Sequence, residues 1–197
     1  MSRNTKTGSL GTSGCGDDES NIRSQVALGL RWSIPAVSGR SKAAKTGRSP
    51  VDRGRLGSRH HLITDAGGGP LAVLLTGGNR NDVTRLLPLL QAVPPIRGKR
   101  GRPRSKPPKV YADRGHDHDK YRALVRELGV TPVIARRGTQ HGCGLGKLRW
   151  VVEQSFALLH WFRRLRIRWE IRDDIHEALL KIGCALICWR RLRASKS

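Results

Sequence analysis

Acids are scarce in this 197-residue sequence, where 15 Asp and Glu stand against 38 Lys and Arg. Each can therefore be weighed for the chemistry it could do. Asp113 follows the apolar run Lys109-Val110-Tyr111-Ala112 and precedes Arg114-Gly115. A carboxylate at the end of a strand sits where α/β sheets place ligands, although an aspartate there serves equally as a turn or cap residue. Glu153 falls among Val151, Val152 and Phe156, at the edge of an apolar helical stripe. Arg149 lies one turn before it and His160 two turns after, so at about 100° per residue the three share a face. Taken alone, Glu153 reads as a rim salt bridge more readily than as a metal or acid–base group. The pair is more telling than either part. A strand-end carboxylate and a helix carboxylate are how sheet–helix folds gather acids around a hard cation. Mg²⁺ takes carboxylate oxygens, waters and phosphate oxygens, and two such ions about 4 Å apart activate a hydroxyl and stabilise the leaving oxygen in phosphodiester chemistry.

The charge points to the same class of substrate. A formal net charge of +23 calls for a polyanionic partner, because each Lys or Arg laid on a phosphate releases a condensed counterion. Charge alone does not separate an enzyme on DNA from a passive DNA binder or an RNA-associated basic protein. No apolar stretch reaches bilayer length and the N-terminus lacks a secretory layout, so the expectation is a cytoplasmic, nucleoid-associated protein with no membrane partner. The four cysteines, Cys15, Cys143, Cys184 and Cys188, form no CxxC pair, which argues against a zinc knuckle or a disulfide scaffold.

These candidates need elements to hold them. Residues 1–45 are rich in small and polar types and are expected to be irregular, with one short strand allowed around residues 26–34. Residues 59–64 and 71–76 read as a hairpin around Asp65-Ala66-Gly67-Gly68-Gly69. Asp82 is a cap for a helix carrying Val83, Leu86, Leu87 and Leu90, which Pro88 should kink or stop. Strands are expected at 109–112 and 130–135, with a helix between them on Tyr121, Leu124, Val125 and Leu128, closed by Gly129. A helix over about 148–165 should bury Leu148, Val152, Phe156, Leu159 and Phe162. A last helix, capped by a box of Asp174 and Glu177, should bury Ile175, Leu179, Ile182, Leu186 and Trp189. The order predicts a mixed α/β sheet flanked by helices.

Several signals lie outside this frame. Arg97, Lys99, Arg100, Arg102, Arg104 and Lys106 crowd a Gly- and Pro-rich segment that reads as an exposed DNA-binding loop. Its Arg100-Gly101-Arg102-Pro103 has the slim, cationic form that suits an A·T-rich minor groove. Arg163 and Arg164 open a phosphate-facing strip with Arg166, Arg168 and Arg172. Trp150, Trp161, Trp169 and Trp189 suit core packing better than base stacking. His60 and His61, adjacent on a strand, point to opposite faces and cannot simply share a metal, while His116 to Asp119 read as helix-start polar groups. Cys184 and Cys188 read as core cysteines.

The runs Thr46-Gly47-Arg48-Ser49-Pro50, Gly57-Ser58-Arg59-His60-His61-Leu62, Leu75-Thr76-Gly77-Gly78-Asn79-Arg80-Asn81-Asp82, Tyr111-Ala112-Asp113-Arg114-Gly115 and Arg149-Trp150-Val151-Val152-Glu153 resemble, in order, bacterial insertion-sequence transposases of the DDE type, the group numbered five. The resemblance covers residues 46–197 as a catalytic domain. It implies an RNase H-like fold and Mg²⁺-dependent cutting and joining of DNA at element ends through a two-metal site. Element terminal repeats and target DNA are the implied partners, with a homo-oligomer on DNA. It implies Asp113 and Glu153 as the second and third acids and metal ligands, with Arg149 as the arginine four residues ahead of the glutamate. The sequence departs from the pattern at the first acid. Counting back from Thr46 places it at about Ser33, and no acid lies between Glu19 and Asp52. Gly146 stands where a tyrosine is expected. Loss of the first carboxylate implies lost activity, and the alternative is a catalytically inactive DNA-binding remnant.

Overall fold

The structure, a computed structural model, describes residues 26–37, 43–50, 52–96, 103, 106–138 and 145–195. It is a mixed sheet between two helical layers. The strands are β1 (Val26–Pro35), β2 (Gly47–Arg48), β3 (Leu56–Asp65), β4 (Pro70–Gly77), β5 (Lys109–Ala112) and β6 (Thr131–Ile134). Their lateral order runs β4, β3, β1, β5, β6, with β2 paired to the start of β3. The pairs β4·β3 and β3·β1 are antiparallel, and β1·β5 and β5·β6 are parallel. The strand allowed around residues 26–34 thus lies at the centre of the sheet, and residues 1–25 and 38–42 lie outside the described residues. Ala27 and Ile34 anchor β1 by burial.

Among the described residues five helices flank the sheet: α1 (Leu86–Gln91), α2 (Asp119–Glu127), α3 (Leu145–His160), the single turn α4 (Arg163–Arg166) and α5 (Asp173–Ala194). Alternation along the strands divides the core. Ile63, Val110 and Ala112 pack with Leu86, Leu89, Val125 and Ile134 on the α1/α2 side. Ala27 and Leu62 pack with Val152, Phe156, Leu159, Leu180 and Ile187 on the α3/α5 side.

Local expectations hold unevenly. Gly129 closes α2 at φ +78°, a left-handed position that glycine takes without strain. Before α1, a 3-10 turn covers Asp82–Arg85, and its cap is the Asn81 side chain, which accepts from the Val83 amide. Asp82 instead pairs with the buried Arg59 guanidinium at 3.1 Å. The long helix anticipated over 148–165 breaks after His160, and α4 follows as a separate turn. No side chain caps α5 through a box, because Asp174 is held by Arg172.

The core stripe anticipated for α5 is the wrong face. Ile175, Ile182, Leu186 and Trp189 are exposed, whereas His176, Leu180, Gly183, Cys184 and Ile187 are buried. The helix carries two apolar stripes, and size and polarity decide between them. A Cβ at Gly183 would lie 3.1 Å from Leu159 and from Leu165, so only a glycine face lets α5 settle this closely on α3 and α4. His176 completes a buried polar chain. Its Nε2 lies 3.0 Å from His60 Nε2, and its Nδ1 lies 3.0 Å from Glu170, which Arg164 grips at 2.9 Å. Arg168, almost fully buried, donates to Ser58 Oγ at 2.6 Å, to Thr46 Oγ1 and the Lys45 carbonyl at 3.0 Å, and to the Glu170 carbonyl at 3.2 Å. These bonds stitch the 163–172 connection to β3 and to the segment before β2.

Candidate active site

Asp113 stands immediately past β5 with extended backbone, and its Oδ1 accepts from the Gly115 amide at 2.9 Å. The same oxygen lies 3.2 Å from Nδ1 of His116, which is buried. Asp113 therefore does cap the short turn at 114–116, while its side chain keeps about a third of its surface open. Four residues after Asp113, Asp117 braces the loop. Its carboxyl is held below the usual range by the Arg137 amide and by the Arg122 guanidinium, which also reaches the Ile134 carbonyl at 2.7 Å. Sequence reasoning passed over this brace as helix-start polarity. The available signal was the spacing of His116 and Arg122 from two aspartates.

Past the strand, Asp113 directs its Oδ1 to the Gly115 amide and His116. Val110 and Ala112 belong to the core on the α1/α2 side, so alternation turns Tyr111 to the opposite face. That face carries α3, which packs across β1, β3 and β5. Glu153 lies on α3 and is exposed, with Val152 beside it buried against Ala27 and Leu62. Ser155 anchors this turn of the helix by donating to the Gly68 carbonyl at 2.7 Å. Gly68 belongs to the β3–β4 turn, which is level with the start of β1 and β5, whereas Asp113 marks the end of β5. Arg149 also belongs to α3, in a stretch whose side chains are outside the described residues.

No acid is available from β1. The register pairs Val26 with Val110 and Ala27 with Tyr111, and continuing it two residues brings Gly29 level with Asp113. Ser33 is four residues further along, beyond a bulge between Gly29 and Trp32, and pairs with Arg59. Among the described residues, no three His, Cys, Asp or Glu gather where they could hold a metal. The donor chemistry of Asp113 and Glu153 fits Mg²⁺, since both offer hard anionic oxygens at accessible positions, but the set is short of a third carboxylate.

The other candidates are dispersed. Arg97, Lys99, Arg100, Arg102 and Arg104 lie outside the described residues, and Lys106 is exposed. Arg163 and Arg164 are exposed on α4, with Arg164 committed to Glu170. Trp150, Trp161, Trp169 and Trp189 are all exposed, Trp161 at 80%, which overturns the expectation that most of them fill the core. Cys184 is buried and Cys188 half-buried, as core cysteines should be.

A family profile described as "Transposase DDE domain" matches residues 29–188. The chain belongs to the DDE-domain transposases. It is 62% identical over 163 residues to the transposase assigned to insertion sequence element IS402 of Burkholderia cepacia, covering 83% of this chain and 73% of that protein. It is 32% identical over 116 residues to the transposase for insertion sequence element IS1106 of Neisseria meningitidis serogroup B, covering 54% of this chain and 36% of that relative. The mixed α/β sheet is consistent with this family. No helix among the described residues is long and apolar enough to cross a membrane.

Proposed function

We propose that this transposase chain binds DNA and holds Mg²⁺ through Asp113 and Glu153, on an RNase H-like sheet, with strand cleavage reduced to a residue by the missing first acid. What supports this reading is the pairing of a part-exposed carboxylate just past β5, Asp113, with an exposed one, Glu153, on the helix that packs across β1, β3 and β5. The RNase H-like assignment is supported by the strand order, three antiparallel strands continued by two parallel ones. Two carboxylates in a chain of net charge +23 are the natural points at which cations meet a DNA backbone. When bound, Mg²⁺ supplies neutralisation of the phosphodiester and activation of the attacking hydroxyl.

The residues divide the work. Asp113 is aimed by the Gly115 amide and His116, and the Asp117–Arg122 pair keeps that loop from swinging away. Glu153 is placed by the burial of its neighbours and by the Ser155 anchor. Arg149, one turn ahead, steadies Glu153 or a phosphate. Lys106, Arg163 and Arg164, with the basic run at 97, 99, 100, 102 and 104, hold the backbone of terminal-repeat and target DNA, and binding should weaken steeply with salt. A serine hydroxyl or a glycine on β1 cannot replace an anionic oxygen as a Mg²⁺ ligand. The same observation favours the second reading, a DNA-binding remnant with no cleavage at all.

The test uses Fe²⁺ in place of Mg²⁺, with ascorbate, to cut the polypeptide wherever the metal sits. Cuts clustered near both residue 113 and residue 153, abolished by excess Mg²⁺ and by Asp113→Ala or Glu153→Ala, are expected. Cuts near only one of the two, or cuts indifferent to both variants, would overturn the shared site. Supercoiled-plasmid nicking with Mg²⁺ separates the two functional readings: weak nicking lost in both variants supports the residual enzyme, and none at all supports the remnant.

A further inference from the structure

Arg59 is only 3% exposed, yet one edge of its guanidinium is unanswered. Its Nη1 donates to the Arg80 carbonyl at 2.7 Å and to Asp82 Oδ1 at 3.1 Å. Its Nε and Nη2 are buried, and among the described residues neither has a hydrogen-bond partner. Those two nitrogens form the edge of the guanidinium plane that grips two oxygens side-on. A buried donor left unmade is costly, so a complete fork inside a folded chain marks the seat of an acceptor. Arg85 adds a third such donor. The residue is half-buried, and its Nε is likewise enclosed without a partner among the described residues.

The surroundings suit an anion. Arg59 lies near the start of β3, paired with Ser33 near the end of β1, and α/β sheets gather ligands beyond the carboxyl ends of their parallel strands. Arg59 and His61 share the face on which Ile63 meets the α1/α2 core. The 3-10 turn at 82–85, which carries Asp82 and Arg85, packs against the turn at 114–116. Burial, then the positive fields of Arg59, His116 and Arg85, push the His61 pKa down to about 3. The ring is therefore neutral at ordinary pH, and the positive charge of the cluster rests on the two guanidiniums. Asp82 answers Arg59 only at Nη1.

We propose that the Nε/Nη2 edge of Arg59, together with Nε of Arg85, binds a phosphate group beside the 82–85 turn. Guanidiniums offer donors and no acceptor. A water molecule there would have hydrogens of its own to place, whereas an oxyanion has none on the oxygens it turns to the N–H groups. A carboxylate meets the fork with two oxygens; the third donor, on a second guanidinium, favours a tetrahedral group with more oxygens and more charge. The donors are enclosed, so entry requires the short 82–85 turn to lift, and binding should saturate at one group per chain. The site uses neither Asp113 nor Glu153 and needs no Mg²⁺, so it stands or falls apart from the metal site proposed above.

Melting of the full chain in EDTA, with sodium phosphate against sodium chloride at matched ionic strength, tests this. A saturable rise of about 5–10 °C is expected at a hundredfold excess over Kd. The general stabilisation that phosphate gives by exclusion from protein surfaces does not saturate and is common to all variants. Arg59→Lys keeps a cation for Asp82 but has no fork, and should weaken the saturable phase about tenfold or more. Arg85→Gln, at a half-buried position, should weaken it too while leaving the circular dichroism unchanged, and it decides the matter if Arg59→Lys does not fold. Absence of a saturable phase overturns the proposal, since water alone would then fill the site. A saturable phase indifferent to Arg85→Gln and to a folded Arg59→Lys overturns it as well, since phosphate would then be bound only at the surface. Duplex DNA distinguishes the two sources of the phosphate. If the DNA backbone supplies it, added duplex releases the bound phosphate seen by phosphorus NMR, and Arg59→Lys lowers the salt slope of duplex binding by about one. If the ligand is free orthophosphate, duplex and phosphate bind together and the slope is unchanged.

Discussion

Acidification should weaken this fold well before its carboxylates titrate, and the buried histidines set the size of the effect. His61 lies inside the sheet with its Nε2 2.8 Å from the Thr76 hydroxyl. Burial, aided by the positive charge of Arg59, lowers its pKa to about 3. His60, on the opposite face against His176, is lowered well below the ordinary value by burial and by that neighbouring ring. Among the described residues its Nδ1 finds no hydrogen-bond partner. In the unfolded chain both rings titrate near pH 6.5, so between that value and the folded pKa the unfolded state binds more protons. Stability is therefore complete above about pH 6.5 and falls as pH falls. At pH 5 the loss from His61 alone is about 1.5 pH units at 1.36 kcal/mol each, or about 2 kcal/mol, and His60 adds to it in the same direction. Against a total of about 5–15 kcal/mol for a domain, the change is easy to see. Carboxylates with lowered pKa, Asp117 and Glu170 among them, act in a different window. Their contribution is present above about pH 4 and disappears below it.

Urea unfolding at pH 7.5, 6 and 5, at constant ionic strength, measures the slope. His61→Gln keeps an amide for the Thr76 hydroxyl but cannot take up a proton, so it should remove about 2 kcal/mol of the pH dependence between pH 7 and pH 5. A parent and variant with the same slope would refute the reasoning, and so would a parent that gains stability on acidification.

Arg168→Met should cost about 3 kcal/mol in the same unfolding assay, because Ser58, Thr46 and several carbonyls would be left buried without their donor. Arg168→Lys should recover only part of that loss, since an ammonium cannot reproduce the planar fork. The missing acid offers a sharper contrast. Continuing the β1–β5 register two residues past its last pair, Ala27 with Tyr111, brings Gly29, not Ser33, level with Asp113. Gly29→Asp should therefore raise Mg²⁺-dependent plasmid nicking at least tenfold while Ser33→Asp leaves it unchanged, and the reverse result would show that β1 shifts by four residues when DNA binds.

Much of the sheet is legible in the sequence because its signals are local. Gly67 and Gly68 turn the β3–β4 hairpin, Gly129 ends α2, and short apolar runs mark β4 to β6. The candidate acids are legible for a similar reason: few carboxylates compete with Asp113 and Glu153 in so basic a chain. The buried face of α5 is not. Leu, Ile and Trp recur at helical spacing on both sides of that helix, and periodicity reports a stripe without saying what it faces. The choice rests on contacts distant in sequence, the close approach permitted at Gly183 and the His60–His176 pair. For the same reason the exposed tryptophans were read as core. Arg168 gave no sign of its buried role, because one arginine among five in a basic strip differs from the others only through Ser58 and Thr46, more than 100 residues away.

The persistence of this fold without its first acid follows from what β1 has to do. As a central strand it must present an extended backbone to β3 and β5 and bury Ala27 and Ile34. Neither task requires a carboxylate. Three carboxylates in one cluster repel each other unless a cation intervenes, so a chain lacking one of them folds under less electrostatic strain than one that keeps all three. On the proposed reading, loss of the acid would remove chemistry while relaxing the scaffold, in keeping with the general cost that active-site charges impose on stability. DNA affinity would stay with the Lys and Arg surface, which does not pass through the proposed site at the end of β5. On that reading DNA binding outlasts cleavage, and a metal-independent DNA affinity close to that of an acid-restored variant is the behaviour this separation requires.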